Sequence, residues 1–153
     1  MVWSRGRVLM REIVQYPDIV LLKKASAVAA INDYVKSVAS DLEYYVNRLG
    51  VPGIAAPQVN EPIRLISFQF GIDVISLVNP EITKVSDQTI MSEEQCLSLE
   101  NVKGILVKRW KFITVVGRLL DGRSKKFDSR DLVGRALQHE IDHLNGVLIN
   151  TKG

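Results

Sequence analysis

The sequence predicts a single α+β domain, mainly antiparallel sheets packed around a helix near the C-terminal end. Three observations predict it. Residues 31–49 repeat apolar side chains at helical spacing, short β-like runs fill the middle of the chain, and a second helical stretch closes it. A length of 153 residues suits one domain, since domains usually run to roughly 100–150 residues. With 46% hydrophobic and 24% charged residues and a mean hydropathy of +0.07, the composition excludes disorder and fibrous repeats.

The first helix follows from apolar residues at 31, 35, 38, 42, 45, 46 and 49, with Asn32 and Asp33 placed to cap its start and Gly50 to stop it. Strand-like runs follow at Arg64–Phe70, Asp73–Val78, Ile105–Val107 and Lys111–Leu119. Gly71, Asn79-Pro80, Gly104 and Asp121-Gly122 break them. Asp121-Gly122 is a hairpin signal, because both residues accept the positive φ of a tight turn. A second helix is expected from about Ser129 to Leu144, capped by Asp128 or Ser129 and ended by Asn145-Gly146. The chain contains no repeat, low-complexity tract or internal boundary.

Twenty basic against 17 acidic residues give +3, and the basic residues are scattered, so the sequence carries no nucleic-acid stripe. One cysteine excludes an intrachain disulfide and fits a reducing compartment. No run approaches the ~18–20 apolar residues of a membrane helix. The N-terminus lacks the apolar core of a secretory signal. A soluble cytoplasmic protein with no DNA or membrane partner is the expectation. Met10-Arg11-Glu12-Ile13 reads like a second start, so residues 1–9 are expected as an extension of a domain spanning 10–153.

The chemistry is concentrated in His139-Glu140-Ile141-Asp142-His143. Imidazoles at i and i+4 project from one helix face and can reach one metal ion, while a glutamate beside the first can take a proton from a metal-bound water. A bare HExxH also fits a solvated helix face. Both histidines of the chain fall in this pattern, and the chain has one cysteine, Cys96. Catalytic metal sites generally use three protein ligands and leave one position open. Only ten residues follow His143, none of them His, Cys, Asp or Glu, so a third ligand has to come from upstream. Cys96 is the strongest soft donor available there, which argues against an ordinary zinc protease.

Gly53-Ile-Ala-Ala-Pro-Gln-Val59, Glu94-Gln-Cys-Leu-Ser98 and Gln138-His-Glu-Ile-Asp-His-Leu-Asn-Gly146 stand in the order and spacing of the three motifs of the peptide deformylases. The resemblance extends from about residue 10 to residue 149. It implies a compact α+β fold and removal of the formyl group from the N-terminal formyl-methionine of nascent polypeptides. It implies one divalent metal on Cys96, His139 and His143, Fe(II) natively, with zinc, nickel or cobalt as substitutes. A thiolate ligand leaves ferrous iron prone to oxidation. Glu140 becomes the general acid–base. The Gln58 side-chain amide and the Leu97 backbone N–H become donors to the oxyanion, such donors typically contributing ~2.7–4 kcal/mol each. Outside its motif, Gln58 would read as a loop-end residue bonded to backbone.

Small residues at Gly53, Ala55 and Ala56 would let an extended peptide pair as an added strand. Ile54, Leu97, Leu132, Ala136 and Leu137 are candidate walls for the methionine side chain. Val51-Pro52 depart from the usual motif-one glycine pattern, and Pro52 has no N–H to offer substrate. A one-residue shift to Gly50 is a compensation the sequence allows. Gln95 stands where the family usually has glycine, and Lys103 where an arginine is frequent at the pocket mouth. These changes predict altered peptide preference with the metal chemistry intact. The chain ends soon after the HExxH helix, as in short phage-type members, so it would dock on the ribosome differently from longer enzymes, in transient contact, or act on free chains, and a phage-encoded form would work in the host cytoplasm. Two other readings remain at this point: hydrolysis of another short N-acyl group, and a deformylase-like peptide-binding protein without turnover.

Overall fold

The structure, a computed structural model, describes residues 2–4 and 8–152. The expected extension over residues 1–9 lies partly outside the described residues; within it, β1 (Val2–Ser4) pairs antiparallel with β2 (Val8–Met10). The first long helix, α1 (Asp33–Leu49), starts where Asn32 accepts from the Val35 N–H and stops where Gly50 turns left-handed at φ 64°.

The central sheet has five antiparallel strands in the order β3 (Gly53–Ala55), β4 (Leu65–Phe70), β5 (Asp73–Val85), β8 (Phe112–Arg118) and β9 (Ser124–Arg130). A separate antiparallel hairpin holds β6 (Thr89–Glu94) and β7 (Ile105–Trp110). Strand β3 lies at the edge of the central sheet, with one side paired to β4. The motif helix α2 (Asp131–Leu144) packs on one face of that sheet and α1 on the other; a short turn of helix, α3 (Ile149–Lys152), follows.

Side-chain alternation along the strands feeds both layers. Ile66, Phe68, Val115 and Phe127 meet Leu137, Ile141 and Leu144 of α2. Ile54, Leu65 and Val78 meet Val35, Val38, Leu42 and Val46 of α1. A third cluster joins Leu21, Leu99, Val107, Leu148 and Ile149 around Cys96. Nine residues of α2 are buried, so the helix is central, covered by the sheet on one side and tied to the β6–β7 hairpin on the other. Gln138 makes that tie, accepting from the Trp110 N–H and donating to its carbonyl, both at 3.0 Å.

Three sequence expectations need correction. Asn79-Pro80 does not end a strand: β5 runs through it as a bulge, with Asn79 at φ 51° and the register slipping between Val78 and Glu81. Asparagine tolerates that conformation and proline's missing N–H is harmless there. The Asn79 side chain also closes the gap by bonding both backbone groups of Val28. The motif helix starts at Asp131, not Ser129, because residues 124–130 form the second arm of the Asp121-Gly122 hairpin. Asp128 and Ser129 therefore cap nothing. Strands β3 and β6 carry no strong periodicity in sequence, and pairing with their neighbours creates them.

Candidate active site

Helix geometry brings His139 and His143 to one face of α2, their ring centroids 5.1 Å apart. The loop after β6 delivers Cys96, whose Sγ lies 3.3 Å from His143 Nε2. One ligand atom from each of the three residues falls within 4.8 Å of the others. Ligands bound at 2.0–2.3 Å around one tetrahedral ion stand about 3.3–3.8 Å apart, so the set is spaced to hold a metal. His139 turns its Nδ1 toward Glu94 Oε1 at 2.9 Å, which leaves its Nε2 for an ion. His143 is driven well below the usual imidazole range by burial, with His139 and Arg109 adding to the effect. It is thereby neutral, the form that coordinates. Burial opposes charge on His139 as well, but Glu140, Cys96 and Glu94 outweigh it and raise the group to about 10. A cation on Nε2 would satisfy the same carboxylates as that proton.

Glu140 is 4% exposed, and its Oε1 has no hydrogen-bond partner among the described residues. Burial pushes its carboxyl up to about 7 against the pull of His139, so it can gain or lose a proton near neutrality. Gly53 accounts for its placement. A Cβ on Gly53 would stand 3.0 Å from Glu140 Cγ and 3.1 Å from Oε2. The small residue of motif one makes room for the carboxylate of motif three.

Gln58 sits on the short 3-10 turn after β3. Its Oε1 accepts from the Ala55 N–H at 2.9 Å, which fixes the amide so that Nε2 faces the site, 3.3 Å from Ser98 Oγ and 3.7 Å from Cys96 Sγ. Leu97 is half-buried beside Cys96, and its carbonyl accepts from Gln15 Nε2 at 2.8 Å. The chain segment before the first helix holds these groups through backbone pairs: Val14 N–H to the Gln58 carbonyl and Tyr16 N–H to that of Ser98, each 2.8 Å.

A cavity of about 950 Å³ opens over these groups. Gly53, Gln95, Leu97, Leu132 and Ala136 line it, as do Gln58, Cys96, His139 and Glu140. Ile54 and Leu137 do not: both are fully buried, Ile54 under α1 and Leu137 under the sheet. Strand alternation decides the first case, since Gly53 and Ala55 face α2 and the residue between them must face away. Lys103 is exposed on the turn before β7 and lies off the lining, where Val102 takes the mouth. Gly50 cannot stand in for Pro52, because its N–H caps α1 through the Val46 carbonyl.

Sequence reasoning missed the support beneath the ligands. Arg109 is 2% exposed and donates through Nε and Nη2 to both carboxylate oxygens of Glu94, at 2.8 and 2.6 Å, and through Nη1 to Asp142 at 2.6 Å. Burial opposes charge on Glu94, yet Arg109 and His139 hold its carboxyl near 2. One guanidinium therefore ties the carboxylate behind His139 to the residue preceding His143. The exposed-buried alternation of β7 carried the only signal, an arginine on the inward register at 105, 107 and 109.

The family model described as "Polypeptide deformylase" matches residues 10–152. The chain belongs to the polypeptide deformylase family. Peptide deformylases of Dictyoglomus thermophilum and Thermodesulfovibrio yellowstonii are 39% and 42% identical to it, over 92% of this chain and 91% and 87% of theirs. The crystal structure of the peptide deformylase from Thermotoga maritima superposes with a TM-score of 0.89 at 30% identity, covering 95% of this chain and 98% of that one. The deformylases are metal-dependent hydrolases, and the Cys/His set described above is the one in this chain spaced for an ion among the described residues.

Proposed function

We propose that this chain hydrolyses the formyl amide of formyl-methionine at the N-terminus of nascent polypeptides, with Cys96, His139 and His143 holding Fe(II) as the native metal and zinc, nickel or cobalt able to replace it. The observation that carries it is the convergence, in one cavity, of three metal-spaced ligand atoms, the unpartnered buried carboxyl of Glu140 and the oriented amide of Gln58. When bound, the metal supplies Lewis acidity, polarising the formyl oxygen and lowering the pKa of water.

The chain's own residues do the rest. The open side of β3 offers the substrate backbone a strand to pair with, and Gly53 leaves that approach clear. Glu140 takes the proton from the attacking water and later delivers it to the departing amine, a transfer its carboxyl at about 7 suits. Gln58 Nε2 and the Leu97 backbone N–H donate to the oxygen that gains charge. Leu97, Leu132 and Ala136 wall the space for the methionine side chain. Gln95, exposed on the rim, narrows the outer groove where glycine would leave it open.

Action on nascent chains would put the protein in the cytoplasm, in transient contact with ribosomes. No helix of the described residues is long and apolar enough to cross a membrane. The test is formate release from formyl-Met-Ala-Ser by protein prepared anaerobically with Fe(II), beside Glu140→Ala. Release that disappears in the variant is expected; equal release from both would refute the assignment, and so would release from the acetyl analogue at the same rate.

A further inference from the structure

Among the described residues, one arginine and no lysine lines the cavity, and the reaction does not use it. Arg135 lies on α2 four residues before His139, on the face that also carries Ala136 and Leu132, and it lines the groove beside them. It is half-buried, and among the described residues its guanidinium has neither a hydrogen bond nor an ion pair. Among the described residues, the other buried or half-buried arginines are spoken for: Arg109 by Glu94 and Asp142, Arg11 by Asp41 and Glu61, and Arg64 by the Leu144 carbonyl and Asn145. A planar fork with five donors, part-desolvated and unpaired, is a poor way to line an apolar methionine pocket and a good way to receive a carboxylate.

Position narrows what it receives. Helix rise puts the Arg135 Cα about 6 Å along the axis from that of His139. An extended peptide advances about 3.3 Å per residue, so a substrate running from the ligand set along α2 would bring its first or second residue after the methionine level with Arg135. We propose that Arg135 is a specificity-determining residue that pairs with an aspartate or glutamate side chain of the substrate just downstream of its formyl-methionine. The inference rests on the deformylase reading of the groove. Glu93 and Glu100, which also line the cavity, work the other way, but both are exposed and screened by solvent, whereas Arg135 is partly withdrawn from it.

The test compares kcat/KM of the metal-loaded enzyme for formyl-Met-Ala-Ser, formyl-Met-Asp-Ser, formyl-Met-Ala-Asp and formyl-Met-Lys-Ser. The quantity read is the ratio of each charged peptide to the neutral one. An acidic-to-neutral ratio of about tenfold is expected at one of the two positions. It should fall toward unity in Arg135→Met, be partly kept in Arg135→Lys, and invert in favour of the lysine peptide in Arg135→Glu. The wild-type ratio should also shrink with added salt. A wild-type ratio at or below one overturns the proposal, and so does a ratio that persists in all three variants. Dissociation constants of the same peptides for the Glu140→Ala protein read the preference without turnover. If no formate is released from any peptide but the tenfold binding ratio and its loss in Arg135→Met remain, the deformylase reading fails and the carboxylate site stands. Release with equal affinities for acidic and neutral peptides leaves the reaction and removes the site.

Discussion

Gly53→Ala separates two reasons for a small residue in motif one. If the glycine serves only the approach of the substrate backbone, the added methyl raises KM and leaves kcat alone. The structure gives it a second duty. The new Cβ would stand 3.0 Å from Glu140 Cγ, 3.1 Å from its Oε2 and 3.2 Å from the Ser67 carbonyl oxygen. Ordinary contacts begin near 3.4 Å, so something must yield by a few tenths of an ångström. The Ser67 carbonyl belongs to β4, whose ladder holds it. The Glu140 carboxyl is buried with Oε1 unpartnered among the described residues, so it is the group that moves. Overpacking of this kind costs about 1–3 kcal/mol, and the reduced freedom of the unfolded chain returns about 0.4–1, leaving a net loss of about 0–2.6 kcal/mol. The reaction loses more. A misplacement approaching 1 Å costs about a hundredfold, and a shift of tenths of an ångström in the proton-transferring carboxyl is expected to lower kcat by about tenfold. Steady-state formate release gives kcat and KM, and urea unfolding gives the stability difference. Unchanged kcat with a raised KM would refute the packing argument and restore the substrate-approach one.

Four further outcomes follow from the same geometry. Arg109→Met strands the buried carboxylate of Glu94, and urea unfolding should show a loss of about 3–5 kcal/mol, with Arg109→Lys intermediate because it keeps the charge and loses the fork. Glu94→Gln keeps an acceptor for His139 but not its charge, so metal affinity measured by chelator competition should weaken by about 10–100-fold. Removing the metal with chelator should lower Tm by an amount that depends on free metal concentration, and Cys96→Ser should abolish most of that dependence. Tyr34 is raised to about 12 by burial and by its hydrogen bond to Glu61. Its protonated form is the favoured one, so its contribution is full below the ordinary value of 10.0 and is lost as pH rises through about 12. Spectrophotometric titration should lose a late-titrating phenol in Tyr34→Phe.

Local signals with local causes were legible in the sequence. The limits of α1 follow from an Asn cap and a left-handed Gly, both short-range effects. HExxH places two imidazoles on one face by helix geometry alone, and the three motifs identify the family because their order does not depend on knowing the fold. Cys96 was reached by eliminating other donors, and its 3.3 Å distance to His143 belongs to the loop after β6. Where tertiary pairing overrides local pattern, the sequence misleads. Ser129 looks like a cap until the Asp121-Gly122 hairpin claims it for β9, and Asn79-Pro80 looks like a break until β8 pairs across the bulge.

The amino-acid sequence by itself supplied the candidate chemistry: one thiol, two imidazoles, one carboxylic acid and one amide, each in a motif short enough to be read without neighbours. Only the tertiary structure decided what surrounds them. Ile54 sits in a substrate motif yet faces α1, because strand alternation turns it away from the groove. Arg109 carries no motif yet joins Glu94 to Asp142, and Gly53 is small for the sake of a carboxylate far along the chain. Arg135 lines the cavity with no partner among the described residues. The physical reason is common to all four. Burial, pairing and free volume arise between segments distant in sequence, and no local spacing records them.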